Sequence, residues 1–280
     1  MRTILKSMIF LNALLLVSCK KEGCTDSSAI NFNSKANKDD GSCKYGPILT
    51  INGNFDTTIV LNSNFVDPGA TATNKDGSPA TLTIDNPVNT SLIGIYSIKY
   101  TASNENQTIE KSRKVKVLAN IGQTYQGGIF FYYLQPNDIG YVAGEIHGFV
   151  CAPSDQSTGS SWGCQGSIIG TSDEIGTGDS NTTSIASQCN ENNTAAKICS
   201  DLVLGGYSDW FLPSRKELQL MYDHLQSNGI GSFSSVAGDN FYWSSSEFSD
   251  MISWYNYFAT DYSTTGFKNG LYRVRAIRKF

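Results

Sequence analysis

The sequence predicts a multidomain chain in which a β-sandwich is followed by a mixed α+β domain, and three observations carry that reading. Residues 94–102 alternate with period two: Tyr96, Ile98, Tyr100 and Ala102 fall on one face, and Ser97, Lys99 and Thr101 on the other. Further along, the period changes. Ala195, Ile198, Cys199 and Leu202, and then Leu218, Met221, Tyr222 and Leu225, recur at helical spacing. The composition also shifts near residue 121, after which lie all four Trp and four of the seven Cys.

The amino end reads as a secretory signal over 1–18. Arg2 and Lys6 supply a short positive region, and Met8-Ile9-Phe10-Leu11 with 13–17 supplies an apolar core too short to span a bilayer as a mature helix. The core ends in Leu16-Val17-Ser18-Cys19, which resembles a bacterial lipobox. That resemblance implies cleavage before Cys19 and lipid on its thiol, with several acyl chains making a stable anchor. Lys20-Lys21 after the cysteine resembles lipoproteins sorted to an outer membrane. The expectation is a lipid-anchored protein of the bacterial outer membrane, at the cell surface, with the membrane as its first partner. Charged residues make up 16% of the chain and the net charge is −4, which offers no basic surface for nucleic acid. Setting Cys19 aside leaves six cysteines, an even number that in an exported chain suggests three disulfides.

Residues 19–48 form a lipidated linker with a small motif, Gly-Cys-Thr-Asp at 23–26 and Asp-Asp-Gly-Ser-Cys at 39–43. It is similar to a short motif of bacterial surface proteins. The segment is too small to own a core, so a Cys24–Cys43 disulfide is expected to close it, stabilising it by about 3 kcal/mol on loop-entropy grounds. Asp26, Asp39 and Asp40, with Asn31 and Asn33, could also supply oxygen ligands to calcium, although the spacing is not that of an EF-hand loop. Asx turns without an ion account for the same residues.

Residues 49–118 read as short strands separated by turns at 67–69 and 75–79, and 114–117 alternates as 94–102 does. Short alternating strands of this kind make a sandwich. The blocks at 65–72, 94–102 and 115–117 resemble bacterial immunoglobulin-like domains. No cluster of catalytic residue types lies here, so the segment reads as a spacer.

Residues 121–280 combine a buried-strand candidate, Gly127-Gly128-Ile129-Phe130-Phe131-Tyr132-Tyr133, with a helix at 194–204 and a second helix opened by the capping box Ser214-Arg215-Lys216-Glu217. The chain ends on a strand-like run over 272–278. Several blocks are specific: 152–159, Trp162-Gly163-Cys164, 176–182, 206–214, Tyr242-Trp243-Ser244-Ser245-Ser246-Glu247 and 274–280. Together they resemble the Lcl C-terminal-domain-like family. The resemblance implies a C-type-lectin-like fold whose first and last strands pair. It also implies surface adhesion, and oligomers that bind sulfated glycosaminoglycans.

The residues themselves point to a binding or adhesion module for glycans, with no catalytic set and no metal. Sugars dock their apolar faces on aromatic rings and use Asn, Asp and Glu for their hydroxyls. Trp254, Tyr255 and Tyr257, with Asp250 and Asp261, supply that inventory in a polar stretch. Core packing is the competing reading for these rings, and it is the expected one for Trp210 and Trp243. Residues 121–280 hold eight Lys/Arg against fifteen Asp/Glu, so a polyanion is repelled on average. Arg273, Arg275, Arg278 and Lys279 could still form a local patch with Arg273 as a ligand contact, or could pair with Asp209, Glu217 or Glu247. Cys151–Cys164 and Cys189–Cys199 are the local pairings expected for the remaining cysteines. Two further functions remain open. One is an architectural surface protein without ligand, and the other an enzyme on a formylglycine-generating-enzyme-like fold. His147 and His224 read as structural, and Gln135-Pro136-Asn137-Asp138 as a turn.

Overall fold

The structure, a computed structural model, describes residues 20–236 and 238–280. The signal-like segment and Cys19 lie outside the described residues. Two compact units divide the chain. One takes the described part of Met1–Phe55 with Pro68–Asn86 and Ile98–Arg113, and the other takes Asp56–Asp67, Pro87–Ser97 and Lys114–Phe280. The architecture is predominantly β-sheet, with few helices. Among the described residues no helix is long and apolar enough to cross a membrane.

The amino-terminal motif is a string of turns. Asp26, Asn33, Asp39 and Asp40 each accept a hydrogen bond from the backbone N–H two residues on, and a disulfide joins Cys24 to Cys43. Six strands follow: β1 (Ile48–Ile51), β2 (Asp56–Val60), β3 (Ala70–Thr73), β4 (Thr81–Asp85), β5 (Gly94–Ser103) and β6 (Thr108–Leu118). β1 pairs antiparallel with β3, and a four-stranded sheet runs β2-β6-β5-β4. β2 lies parallel to β6 in register from Asp56↔Lys114 to Val60↔Leu118. The alternation read from the sequence sets the faces: Ile98, Tyr100 and Ala102 are fully buried while Ser97 and Lys99 are exposed. Arg113 is buried in the first unit and is fully employed there. Its Nε donates to the Tyr100 hydroxyl at 3.0 Å, and its terminal nitrogens donate to the Asn52 and Asn54 carbonyls.

The second unit continues through β7 (Thr124–Tyr125), β8 (Gly128–Tyr133), β9 (Gly148–Cys151) and β10 (Ser157–Ser160). Helices α1 (Gly178–Gln188), α2 (Ala195–Ser200) and α3 (Arg215–His224) come next. They are followed by β11 (Phe241–Glu247), β12 (Ile252–Tyr257), β13 (Tyr262–Phe267), β14 (Tyr272–Val274) and β15 (Ile277–Lys279). One sheet runs β15-β9-β8-β7 and the other β10-β14-β11-β12-β13. The expected single strand over 272–278 is thus two strands in two sheets. The chain changes sheet at Arg275-Ala276, where the buried Arg275 guanidinium donates to the carbonyls of Ala152, Gly231 and Ser232. The last strand pairs with β9, which stands between it and β8, so the first and last strands do not pair directly.

The helices differ from expectation in extent. α3 carries the capping box: Ser214 Oγ accepts from the Glu217 N–H and Glu217 Oε2 from the Ser214 N–H. α2 stops at Ser200, short of the expected 204, and Val203 beyond it is exposed. α1 was not expected. Its buried face is largely polar, with Asn181 bonded to Ser172 and Ser245, Thr182 to Gly178 and Leu212, and Ile185 as its apolar member in the core.

The expected domain boundary at 118–121 lies inside the second unit, and one apolar cluster runs across it. Leu61, Ile93, Val117 and Ala119 pack with Tyr125, Phe130, Trp162, Trp210 and Trp243. The junction is also hydrogen-bonded. The Ile93 N–H donates to the Tyr125 hydroxyl at 3.3 Å, the Ala119 N–H to the Tyr133 hydroxyl at 2.6 Å, and Gln123 Nε2 to the Leu61 carbonyl at 2.9 Å.

Candidate functional site

Strands β11, β12, β13 and β14 position the aromatic residues. Antiparallel register places Phe241 opposite Tyr257 and Trp243 opposite Tyr255. Across the other ladder, Tyr255 faces Thr264 and Tyr257 faces Tyr262. Directly opposed residues share a face, so one side of the sheet carries Phe241, Trp243, Tyr255, Tyr257 and Tyr262. Tyr272 joins them, with ring centroids 4.5 Å from both Tyr255 and Trp243. Phe241 stacks on Tyr257 at 4.7 Å and meets Tyr255 edge-on at 5.5 Å. Trp243 is the buried base of this cluster, its Nε1 donating to the Ser160 carbonyl at 2.8 Å. Phe241, Tyr255, Tyr257 and Tyr272 are half-buried and Tyr262 is exposed. Gly266 makes the cluster sterically feasible. A Cβ there would meet the Tyr272 hydroxyl at 2.8 Å and Tyr255 Cε1 at 3.0 Å. Burial, and then the Tyr272 hydroxyl, push the Tyr255 phenol above its ordinary range.

Trp254 does not belong to this face. Successive side chains of a strand point to opposite sides, so Trp254 faces α3 while Tyr255 and Tyr257 face away from it. The expected three-ring surface is therefore divided. On the α3 side, the Arg215 guanidinium lies 3.5 Å from the Trp254 ring centroid, and Phe248 meets the same ring edge-on at 5.5 Å. Asn256 Nδ2 donates to Gln219 Oε1 at 3.0 Å, and Gln219 Nε2 donates to Asp261 Oδ1 at 2.6 Å. A small hollow of about 250 Å³ lies here, walled by Asp173, Arg215, Gln219 and Ser263. Asp250 is exposed, and its carbonyl accepts from the Gly166 N–H.

Arg273 is not a free ligand contact. It donates to Asp155 at 2.8 Å and to the Asp239 carboxylate and carbonyl. Arg275 pairs with the same Asp155 at 2.7 Å, and Arg278 with Asp209 while lying 3.9 Å from the Tyr207 ring centroid. Lys197, Arg215, Lys216 and Lys268 pair with Asp201, Asp173, Glu174 and Glu247. Of the eight cations between 121 and 280, seven therefore face a carboxylate, which dissolves the expected basic patch. Asp209 is the one carboxylate of the three expected partners that an arginine of this cluster takes. Glu247 belongs instead to Lys268, a residue the sequence did not single out. Both are almost fully buried at 2.5 Å, and Glu247 also accepts from the Ile169 and Gly170 N–H groups. Among the described residues no cation pairs with Glu217. Burial pushes its carboxyl up to about 7, against the pull of N–H groups from Ser214, Gly176 and Gly178.

The remaining expected groups are structural in their contacts. Cys164 pairs with Cys189, their Cα atoms 5.0 Å apart, and Cys151 and Cys199 are free and buried. This corrects the Cys151–Cys164 and Cys189–Cys199 pairings. β9 holds Cys151 between two neighbouring strands and α2 turns Cys199 into the core, whereas tertiary packing brings Cys164 to Cys189. Burial pushes the Cys151 thiol up to about 12 and the Cys199 thiol higher still. His147 contacts the Phe280 carbonyl and Glu145, and His224 the Phe131 carbonyl at 2.6 Å. Asp138 closes a turn by accepting from the Gln135 N–H and the Tyr132 hydroxyl. Among the described residues, the three carboxylates of the calcium reading do not form one cluster. Asp26 is held by the Lys75 ammonium at 2.7 Å, and Asp39 and Asp40 cap their own turns. Among the described residues, the one set of metal-ligating types that converges is Cys164, Cys189 and Glu191, whose two sulfurs are bonded to each other.

Comparison with known proteins gives two family matches and a distant solved structure. Among curated proteins none matches the chain. A solved structure, that of the lipoprotein BT2262 from Bacteroides thetaiotaomicron, is similar at 23% identity and a TM-score of 0.26. The match covers 37% of this chain and 55% of that one, so the chain spans about half the length of that protein. Residues 49–117 match the family described as bacterial surface protein, Ig-like domain, and residues 152–278 match the Lcl C-terminal domain, in that order along one chain.

Proposed function

We propose that the protein is a lipid-anchored surface lipoprotein of the bacterial outer membrane that binds neutral or weakly charged glycans. Its contact surface is the face made by Phe241, Tyr255, Tyr257, Tyr262 and Tyr272. The observation that carries this reading is that face itself: a row of partly exposed rings, fixed by strand register and by each other. Tyrosine gives large, stiff, amphipathic contact area at low entropic cost, and its hydroxyls can meet those of a sugar. The net acidic domain, with its cations already paired, favours an uncharged ligand over a sulfated one. We read the matched Lcl region as C-type-lectin-like, and the protein as a binder rather than an enzyme. Its buried thiols and backbone-bound histidines support the second point. Anchorage rests on the lipobox at Cys19.

The test is a glycan array probed with the mature chain, repeated with Tyr257→Ala and Tyr272→Ala. Binding to neutral glycans that each substitution weakens by about 1–2 kcal/mol supports the reading. Binding confined to sulfated glycans, or unchanged by both substitutions, overturns it. An array with no bound glycan at all leaves the architectural role in its place.

A further inference from the structure

The first unit contains a cleft of about 730 Å³, walled by the end of the Cys24–Cys43 loop and by the turns at 74–79 and 103–106. Its hydrogen-bonding capacity is lopsided. The lysine and most of the side-chain amide donors on its walls are engaged internally. Lys75 Nζ donates to Asp26 Oδ2 at 2.7 Å and to Ser28 Oγ at 3.0 Å, and it lies 3.8 Å from the Tyr45 ring centroid. Asn104 Nδ2 gives both its protons, to the Tyr45 carbonyl and to Asn74 Oδ1. Asn74 Nδ2 does the same with Ser78 Oγ and the Pro79 carbonyl. One proton of Asn106 Nδ2 goes to the Tyr45 carbonyl.

The acceptors are left over. Asp76 uses Oδ1 for the Ser78 N–H and hydroxyl, which leaves Oδ2 open. The exposed Glu105 carboxylate has no hydrogen bond or ion pair among the described residues, and Asn106 Oδ1 is likewise open. Charge points the same way. Lys75 is neutralised by Asp26, so Asp76 and Glu105 give the cleft a net negative field. Pro79 and Ala80 add apolar wall for a short hydrocarbon stem. A donor-rich cation with a small organic body suits this inventory, since the open acceptors of Asp76, Glu105 and Asn106 line one cleft.

We propose that this cleft is a binding site for a protonated amine or guanidinium, carried on a lysine or arginine side chain or on an amino sugar. A bare divalent cation is the weaker fit, because no set of three metal-ligating carboxylates converges there among the described residues. The site is independent of the tyrosine face and does not rest on the glycan reading.

The test is an NMR titration of the mature chain with four probes: Nα-acetyl-lysinamide, its Nε-acetylated form, glucosamine and N-acetylglucosamine. Binding by either amine, with its acetylated counterpart at least tenfold weaker, supports the proposal, and the amine that binds tells peptide from sugar. Glu105→Gln and Asp76→Asn should each weaken the amine about tenfold, the loss of one charge-assisted hydrogen bond. Asp76→Asn keeps the oxygen that holds the Ser78 turn, so folding is preserved. Asp85→Asn, an equal charge change on exposed β4 outside the cleft, should leave binding unchanged. Acetylated probes that bind as well as the amines, or cleft variants no weaker than Asp85→Asn, would overturn it. So would calcium binding that depends on Glu105 and Asp76 while the amines fail to bind.

Discussion

The Arg215 guanidinium covers the Trp254 ring at 3.5 Å from its centroid, joining the first residue of α3 to the middle of β12. A guanidinium on an indole face is worth about 1 kcal/mol when partly shielded from water. Trp254 is half-buried, so Trp254→Ala should cost about 2 kcal/mol, roughly half the cost of a core aromatic. Arg215→Ala should cost about 1 kcal/mol. Neither should change ligand binding at the opposite face, whereas Tyr257→Ala should weaken binding with little loss of stability. Thermal melts run beside binding isotherms separate these outcomes, and a binding defect specific to Trp254→Ala would move the site to the α3 side.

The buried Lys268–Glu247 pair makes a second expectation. Lys268→Met strands a carboxylate that is about 5% exposed, so a loss of about 3–5 kcal/mol is expected in urea denaturation. Adding Glu247→Leu removes the stranded charge and should return part of that loss. A double variant less stable than the single one would show that the Ile169 and Gly170 N–H groups depend on Glu247 more than the charge pair does.

Glu217 predicts a pH dependence. Its carboxyl is raised to about 7 by burial, above the 4.5 of an unperturbed glutamate. A raised carboxyl holds its proton more tightly in the folded state. Its contribution is therefore fully present below about pH 4.5 and is lost as pH rises through about 7. On the order of 3 kcal/mol is at stake over that window. Glu217→Gln should remove this slope while costing about 1 kcal/mol at all pH values through the weakened cap. Stability curves of the two proteins that run parallel from pH 5 to 8 would contradict it.

Thiol chemistry tests the cysteine pattern. Denaturation without reductant should expose two alkylatable thiols within 20–280, Cys151 and Cys199, and the folded protein should expose neither. Cys164→Ser with Cys189→Ser opens a loop of 25 residues and should cost about 3 kcal/mol. A Cys151–Cys164 peptide in a non-reducing digest would refute the arrangement.

What the sequence made legible was whatever periodicity and capping encode. The 94–102 alternation, the Ser214–Glu217 box and the burial of Trp210 and Trp243 all follow from local rules. α1 escaped because Ile185 is the one large apolar side chain it buries, while Asn181 and Thr182 beside it are satisfied by hydrogen bonds that a hydrophobic pattern does not register. The disulfide partners escaped because nearness along the chain is not nearness in the fold. The division of the site is different, since period-two alternation across Trp254-Tyr255-Asn256-Tyr257 already separates Trp254 from both tyrosines. Recognising Tyr272 and Phe241 as their neighbours required the register of β11, β12 and β14, which no single segment contains.

The parallel register of β2 against β6 has a mechanical meaning. Tension that enters the chain before Asp56 and leaves it after Leu118 acts on opposite ends of one parallel pair. The ladder from Asp56↔Lys114 to Val60↔Leu118 is then pulled lengthwise, and its hydrogen bonds share the load together instead of opening one after another. A pull between those two points is thus resisted in shear, the direction in which a β-ladder yields most slowly.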